Sequence, residues 1–77
     1  MSQLNLDTAQ LVTLRTDGGA RGNPGPAGIG FTVEQDGAEV FGAGAFIGSH
    51  TNNVAEYAAI LWGLENVIAS GAQQVLV

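Results

Sequence analysis

Hydrophobic and polar positions alternate along residues 10–17: Val12, Leu14 and Thr16 fall on one side, and Leu11, Thr13, Arg15 and Asp17 on the other. A period of two predicts a strand, with Asp17 at its exit. The alternation resumes over residues 28–35. Ile29, Phe31 and Val33 share one face there, and Gly28, Gly30 and Thr32 share the other. The glycines leave space above the sheet for a close neighbour. Asp36-Gly37 is a hairpin signal, and a third strand is predicted over residues 38–47. Residues 48–53 break the pattern. The period then becomes helical over residues 53–70, where Val54, Tyr57, Ala58, Leu61, Leu64 and Ile68 form an apolar stripe. Asn53 and Glu56 have capping-box spacing, and Gly71 stands where a left-handed C-terminal cap belongs. Residues 74–77 read as the start of a buried strand. Residues 18–26, GGARGNPGP, hold four glycines and two prolines and read as a loop. Residues 1–9 read as a loose polar tail.

The predicted order is strand, strand, strand, helix, strand. Hairpins make the first three strands antiparallel. A helical crossover then returns the last strand in parallel, beside the first. The class is α/β with a mixed sheet, in one small domain spanning residues 10–77.

Composition narrows the function classes. Of 77 residues, 45% are hydrophobic, so the chain is globular. It has no cysteine, which excludes a disulfide framework and a zinc–thiolate site and fits a reducing cytoplasm. No basic, apolar leader is visible at the N-terminus, and no apolar run is long enough to span a bilayer. The formal charge is −5, seven acids against Arg15 and Arg21. That balance opposes strong autonomous nucleic-acid binding. It opposes a metal-dependent nuclease site less, because bound cations neutralise clustered carboxylates.

Taken singly, the candidate residues have ordinary readings beside chemical ones. Asp17 is either a turn former before Gly18-Gly19 or an acid held above the sheet for a ligand. The glycine-rich loop lacks the P-loop Lys-Ser/Thr and the dinucleotide fingerprint, so it is a wide hairpin connection or a phosphate-facing backbone. Glu56 in the first helical turn is a cap or a metal ligand. Asn52 and Asn53 are loop formers or amide contacts beside it. His50 has no second histidine for a zinc site. Arg15 shares a face with Asp17, which suggests a structural ion pair. Arg21 is solvated or meets a phosphate. Trp62 reads as packing, and Glu65 as surface.

The combination is more specific than its parts. TDGGARGNPGPAGIG (residues 16–30) followed by TNNVAEYAAILWGLE (residues 51–65) resembles the ribonuclease H family, and the hairpin between the two motifs matches as well. The resemblance extends over residues 11–77. It implies a mixed sheet of three antiparallel strands, a helix and then parallel strands. It also implies cleavage of the RNA strand of an RNA–DNA hybrid with two divalent ions, magnesium or alternatively manganese. Asp17 matches the aspartate that bridges both metals, and Glu56 matches the glutamate that binds one of them near the RNA 2′-hydroxyl. Gly18 joins them at the metal site, and with Gly19 it matches the close-approach positions after the aspartate. Asn23, Asn52 and Asn53 match minor-groove contacts, where amides meet the 2′-hydroxyl. Thr51 matches a contact to a DNA-strand phosphate.

The resemblance also implies what this stretch lacks. The family's third acid follows the fourth strand, and its fourth acid and later helices come after that. The expectation is therefore an N-terminal portion with a half-built site, inactive alone, and with an unfinished sheet edge open to a second copy. Two other readings stand beside it. One is a non-catalytic ribonuclease H-like module that binds nucleic acid or self-assembles. The other is a related nuclease, such as an integrase or a Holliday-junction enzyme, although these generally lack the paired motifs.

Overall fold

A computed structural model describes residues 11–72 and 74–77. The tail expected at residues 1–9 lies outside the described residues. Three long strands, β1 (Leu11–Ala20), β2 (Gly25–Gln35) and β3 (Ala38–His50), precede a helix, α1 (Asn52–Ala69), and a short strand, β4 (Gln74–Leu76). The sheet order is β3-β2-β1-β4. The β1–β2 and β2–β3 pairs are antiparallel, and β4 runs parallel to β1 with Val12 opposite Val75. The mixed sheet expected from the sequence is the one observed. No helix among the described residues is long and apolar enough to cross a membrane.

The core lies between the sheet and α1. Val12, Leu14, Phe31, Val33 and Val67 are buried together, with Phe41, Ala43, Trp62, Leu64 and Val75 packed around them. These positions alternate along the strands, as a half-buried sheet requires. Phe31 meets the Trp62 ring edge-on at a centroid distance of 5.0 Å and lies 5.8 Å from Phe41. Trp62 is therefore a packing residue, as read from the sequence. At the β2–β3 hairpin, Asp36 and Gly37 both have positive φ, 55° and 78°, the requirement of a type I′ turn.

The helix turns a different face to the sheet from the one expected. Ala55, Ala59, Gly63 and Val67 are its buried residues, one per turn. Of the expected stripe, Val54, Tyr57, Leu61 and Ile68 are exposed. The physical reason is distance. Small residues let α1 approach closely: a Cβ on Gly63 would sit 2.7 Å from Leu14 Cδ1. The bulkier stripe would hold the helix off the sheet.

Both ends of α1 are capped. At the N-terminus the cap is Thr51, not Asn53. Thr51 has extended backbone (φ −80°, ψ 163°), and its Oγ1 accepts from the Val54 amide at 3.2 Å. Asn53 is already helical, so the capping box expected with Glu56 does not form, and Glu56 lies beyond the first turn. At the C-terminus, the Gly71 amide donates to the Ile68 carbonyl and the Ala72 amide to the Val67 carbonyl, with Gly71 at φ 90°. This is a Schellman motif with Gly71 where the sequence placed it.

Two further expectations change. β1 runs on through Gly18 and Gly19 to Ala20, and the connection shrinks to residues 21–24, closed by a bond from the Arg21 amide to the Pro26 carbonyl at 2.8 Å. Both glycines lie within a strand here and not in a turn, and Gly18 serves close packing against α1. β4 is an edge strand whose Leu76 and neighbouring Val77 are 56% and 63% exposed, so the burial expected for it holds only partly, at Val75.

Candidate active site

Asp17 and Glu56 come from different elements and meet at one cleft. β4 pairs with β1 only from Leu11 to Thr13, so among the described residues the later part of β1 has no neighbouring strand on that side. The N-terminal half of α1 crosses there. A cleft of about 250 Å³ opens between them, lined by Thr16, Asp17, Gly18, Glu56 and Ile60. Both carboxylates are solvent-exposed. Gly18 sets the approach: a Cβ at that position would overlap the Ala55 carbonyl and lie 2.9 Å from the Glu56 amide nitrogen. Helix backbone therefore rests directly on strand backbone, one residue from each acid.

Asp17 also borders the helix-free face of the sheet. It lines a shallow hollow of about 470 Å³ with Arg15, Gly30, Thr32 and Gly42, among others. Asp17 thus stands where the helix-side cleft and the open sheet face meet. Arg15 does not pair with it. The Arg15 Nε donates to Glu34 Oε2 across the sheet at 2.9 Å, and the side chain is 67% exposed. A surface pair of this kind contributes about 0–1 kcal/mol.

A hydrogen-bond latch fixes the rest of the surface. Asn23 Oδ1 accepts from the Asn52 amide at 3.0 Å, and Asn52 Oδ1 accepts from the Ala20 amide at 2.7 Å. The β1–β2 connection is thereby tied to the N-terminus of α1. Both partners are backbone N–H donors, so the oxygen assignment follows directly. What Asn23 and Asn52 retain for a ligand is the Nδ2 donor of each amide. Asn53, exposed on the first turn, and Thr51, whose hydroxyl caps the helix, complete the same end of the molecule. His50 is half-buried at the end of β3 and Glu65 is exposed. The structure thus gathers Asp17, Gly18 and Glu56 at one cleft and Asn23, Thr51, Asn52 and Asn53 beside it.

The donor set at the cleft is all oxygen, which suits a hard divalent cation. Among the described residues no group of three or more His, Cys, Asp or Glu side chains converges on a possible metal position. The cleft therefore fits such an ion with an incomplete set of ligands. Sequence reasoning did not find Phe46, a β3 side chain that borders the Asn52 end of this surface. Its signal, an apolar residue two positions before Gly48, was lost in an uncertain register.

A sheet of this order, with one helix crossing behind β1 and an acid from each at the crossing, defines a ribonuclease H-like fold. The family model described as reverse transcriptase-like matches residues 15–77, and the chain belongs to that family. It is 44% identical over 68 residues to a bifunctional protein of Mycobacterium tuberculosis, covering 86% of this chain and 19% of that protein. It is 52% identical over 50 residues to ribonuclease HI of Halobacterium salinarum, covering 64% of this chain and 25% of that enzyme. Among solved structures, the N-terminal ribonuclease H domain from M. tuberculosis superimposes with a TM-score of 0.80 at 40% identity, covering 86% of this chain and 49% of that one. LC11-RNase H1, solved in complex with an RNA/DNA hybrid, superimposes with a TM-score of 0.77 at 45% identity, covering 83% and 50%. The chain thus spans about a fifth to a quarter of these relatives' sequences and half of the solved chains.

Proposed function

We propose that this chain supplies the N-terminal half of a ribonuclease H active site, one that hydrolyses the RNA strand of an RNA–DNA hybrid. The observation that carries the proposal is the meeting of Asp17 and Glu56 at one cleft, enforced by the Gly18–Ala55 backbone contact. The hybrid complex of a similar protein supports the substrate class.

Asp17, Glu56 and the backbone at Gly18 would hold divalent cations, magnesium or alternatively manganese. When bound, the ions supply Lewis acidity and charge neutralisation at the scissile phosphate. The chain's own residues do the rest. Asp17 and Glu56 would orient water and phosphate from the strand and helix sides of the cleft. The Nδ2 donors of Asn23 and Asn52, with Asn53, read acceptors in the minor groove, including the ribose 2′-oxygen that distinguishes RNA from DNA. Thr51 lies where a DNA-strand phosphate would approach the start of α1, a position favoured by the helix dipole. Two acids are fewer than a complete site needs, so the 77-residue chain alone is expected to bind hybrid weakly and not to cleave it.

Fluorescence anisotropy with labelled hybrid, DNA duplex and RNA duplex in magnesium tests this. The account expects the hybrid to bind tightest and Asp17→Asn to weaken it. Equal affinity for all three duplexes would contradict it, and magnesium-independent binding untouched by Asp17→Asn would favour the non-catalytic module instead.

Self-association is a second reading, favoured by the exposed Leu76 and Val77 at the β4 edge and by the outward Tyr57, Leu61 and Ile68 of α1. Light scattering on the purified chain tests it: a concentration-independent monomer would refute it. A cytoplasmic setting fits the absence of cysteine.

A further inference from the structure

We propose that Phe46 is a substrate-contact residue. Its ring would form an apolar wall against which the sugar faces of the hybrid's minor groove pack, next to the donors of Asn23 and Asn52. The proposal rests on the functional reading above and adds a residue to it.

Phe46 is 75% exposed, although nothing about its strand requires an apolar residue there. Its neighbours on β3, Phe41, Ala43 and Ala45, alternate onto the α1 side. Phe46 instead points with Gly42 and Gly44 to the open face that Asp17 shares. The register explains its placement. Gly28 pairs with Phe46 and Ala27 with Gly48, so Ile47 is an extra residue on β3, and Gly48 has φ 84°. Phe46 thus keeps the alternation of Gly42 and Gly44, and the bulge that follows it ends the regular pairing at the ring. Across the sheet, Gly19 pairs with Gly28 and Gly28 with Phe46. The ring thus stands at the edge of a platform of two glycines with no side chains to cover it.

The surroundings suit a nucleic acid. A hollow of about 460 Å³ joins Phe46 to Gly19, Gly28, Arg21 and Asn52. Arg21 is one of only two cations in the chain. The other, Arg15, is held by Glu34, whereas Arg21 forms no ion pair among the described residues. An exposed ring, a cation and an amide donor on a flat surface can meet sugar, phosphate and base edge respectively. Sugar carbons are the apolar part of a groove wall, and burying the ring against them removes its exposed surface from water.

The test compares hybrid binding by anisotropy across a salt series for the wild-type chain, Phe46→Ala, Phe46→Leu and Asn52→Ala, with thermal unfolding of each. Phe46→Ala is expected to bind about tenfold more weakly, an effect of the size expected from partial burial of an aromatic ring. Its salt slope should be unchanged, because no phosphate contact is lost, and its melting temperature should be unchanged because the ring is exposed. Phe46→Leu should retain most of the affinity. If Phe46→Ala binds within twofold of wild type while Asn52→Ala weakens binding, the Phe46 contact is overturned and the functional reading stands. A fall in melting temperature that accounts for the binding loss overturns it too. Absence of hybrid binding by every form overturns both.

Discussion

Replacing Gly18 with alanine puts one methyl group between β1 and α1. The added Cβ would overlap the Ala55 carbonyl oxygen, lie 2.5 Å from the carbonyl carbon and lie 2.9 Å from the Glu56 nitrogen. Ordinary carbon contacts need about 3.5–4.0 Å, so the helix must retreat by about 1 Å. The three nearest atoms are all helix backbone, which cannot turn aside as a flexible side chain would. Retreat loosens Ala55 and Ala59, both fully buried, and a gap of that size forfeits roughly a quarter to a half of each contact's attraction. Overpacking of this kind costs about 1–3 kcal/mol, which in a domain this small lowers the melting temperature by roughly 4–8 °C per kcal/mol. Gly19→Ala is the control. Its Cβ would meet nothing nearer than Asn52 Oδ1 at 3.8 Å, so it should unfold close to wild type. Thermal and urea unfolding of the two variants decide the matter. If Gly18→Ala is as stable as Gly19→Ala, the backbone contact does not set the spacing of Asp17 and Glu56.

Other variants probe the remaining elements. Leu14→Ala should cost about 2–5 kcal/mol in urea unfolding, since Leu14 is 1% exposed, whereas Leu61→Ser on the outer face of α1 should stay within about 0.5 kcal/mol. Thr51→Ala removes the bond to the Val54 amide and should cost about 1 kcal/mol. Asn52→Ala removes the link to the Ala20 amide and leaves the backbone amide that donates to Asn23 Oδ1, so hydrogen exchange at Ala20 should accelerate while the Leu14 amide stays protected. Arg15→Ala should leave stability within about 1 kcal/mol, as its ion pair with Glu34 is largely exposed.

Strand alternation was legible because β1 to β3 each bury one face only: Val12, Leu14, Phe31 and Val33 point inward, as their spacing implies. The Asp36-Gly37 turn and the Gly71 cap were legible because each demands a positive φ that few residues adopt. The buried face of α1 was not. Ala55, Ala59 and Gly63 carry little hydrophobic signal, and their role is to be small, which only the neighbouring backbone reveals. Larger apolar residues such as Tyr57 and Leu61 dominated the helical period yet point outward. Gly18 and Gly19 misled in a related way, since glycine marks both turns and close approaches. For the site, the two motifs identified Asp17 and Glu56, while their convergence depends on the helix face that the periodicity misplaced. Phe46 was hidden because an extra residue, Val40, between the Glu34–Glu39 and Val33–Phe41 pairs reverses the side to which later β3 residues point.

The central claim is that Asp17 and Glu56 form one cation site at the β1–α1 crossing. Amide NMR with trace Mn²⁺ tests it most directly, because paramagnetic broadening reports distance from the ion without requiring catalysis. The account predicts broadening concentrated at residues 16–18 and 55–57 and abolished by Asp17→Asn. Broadening spread over the chain's other acids, or centred elsewhere and indifferent to Asp17→Asn, would contradict it.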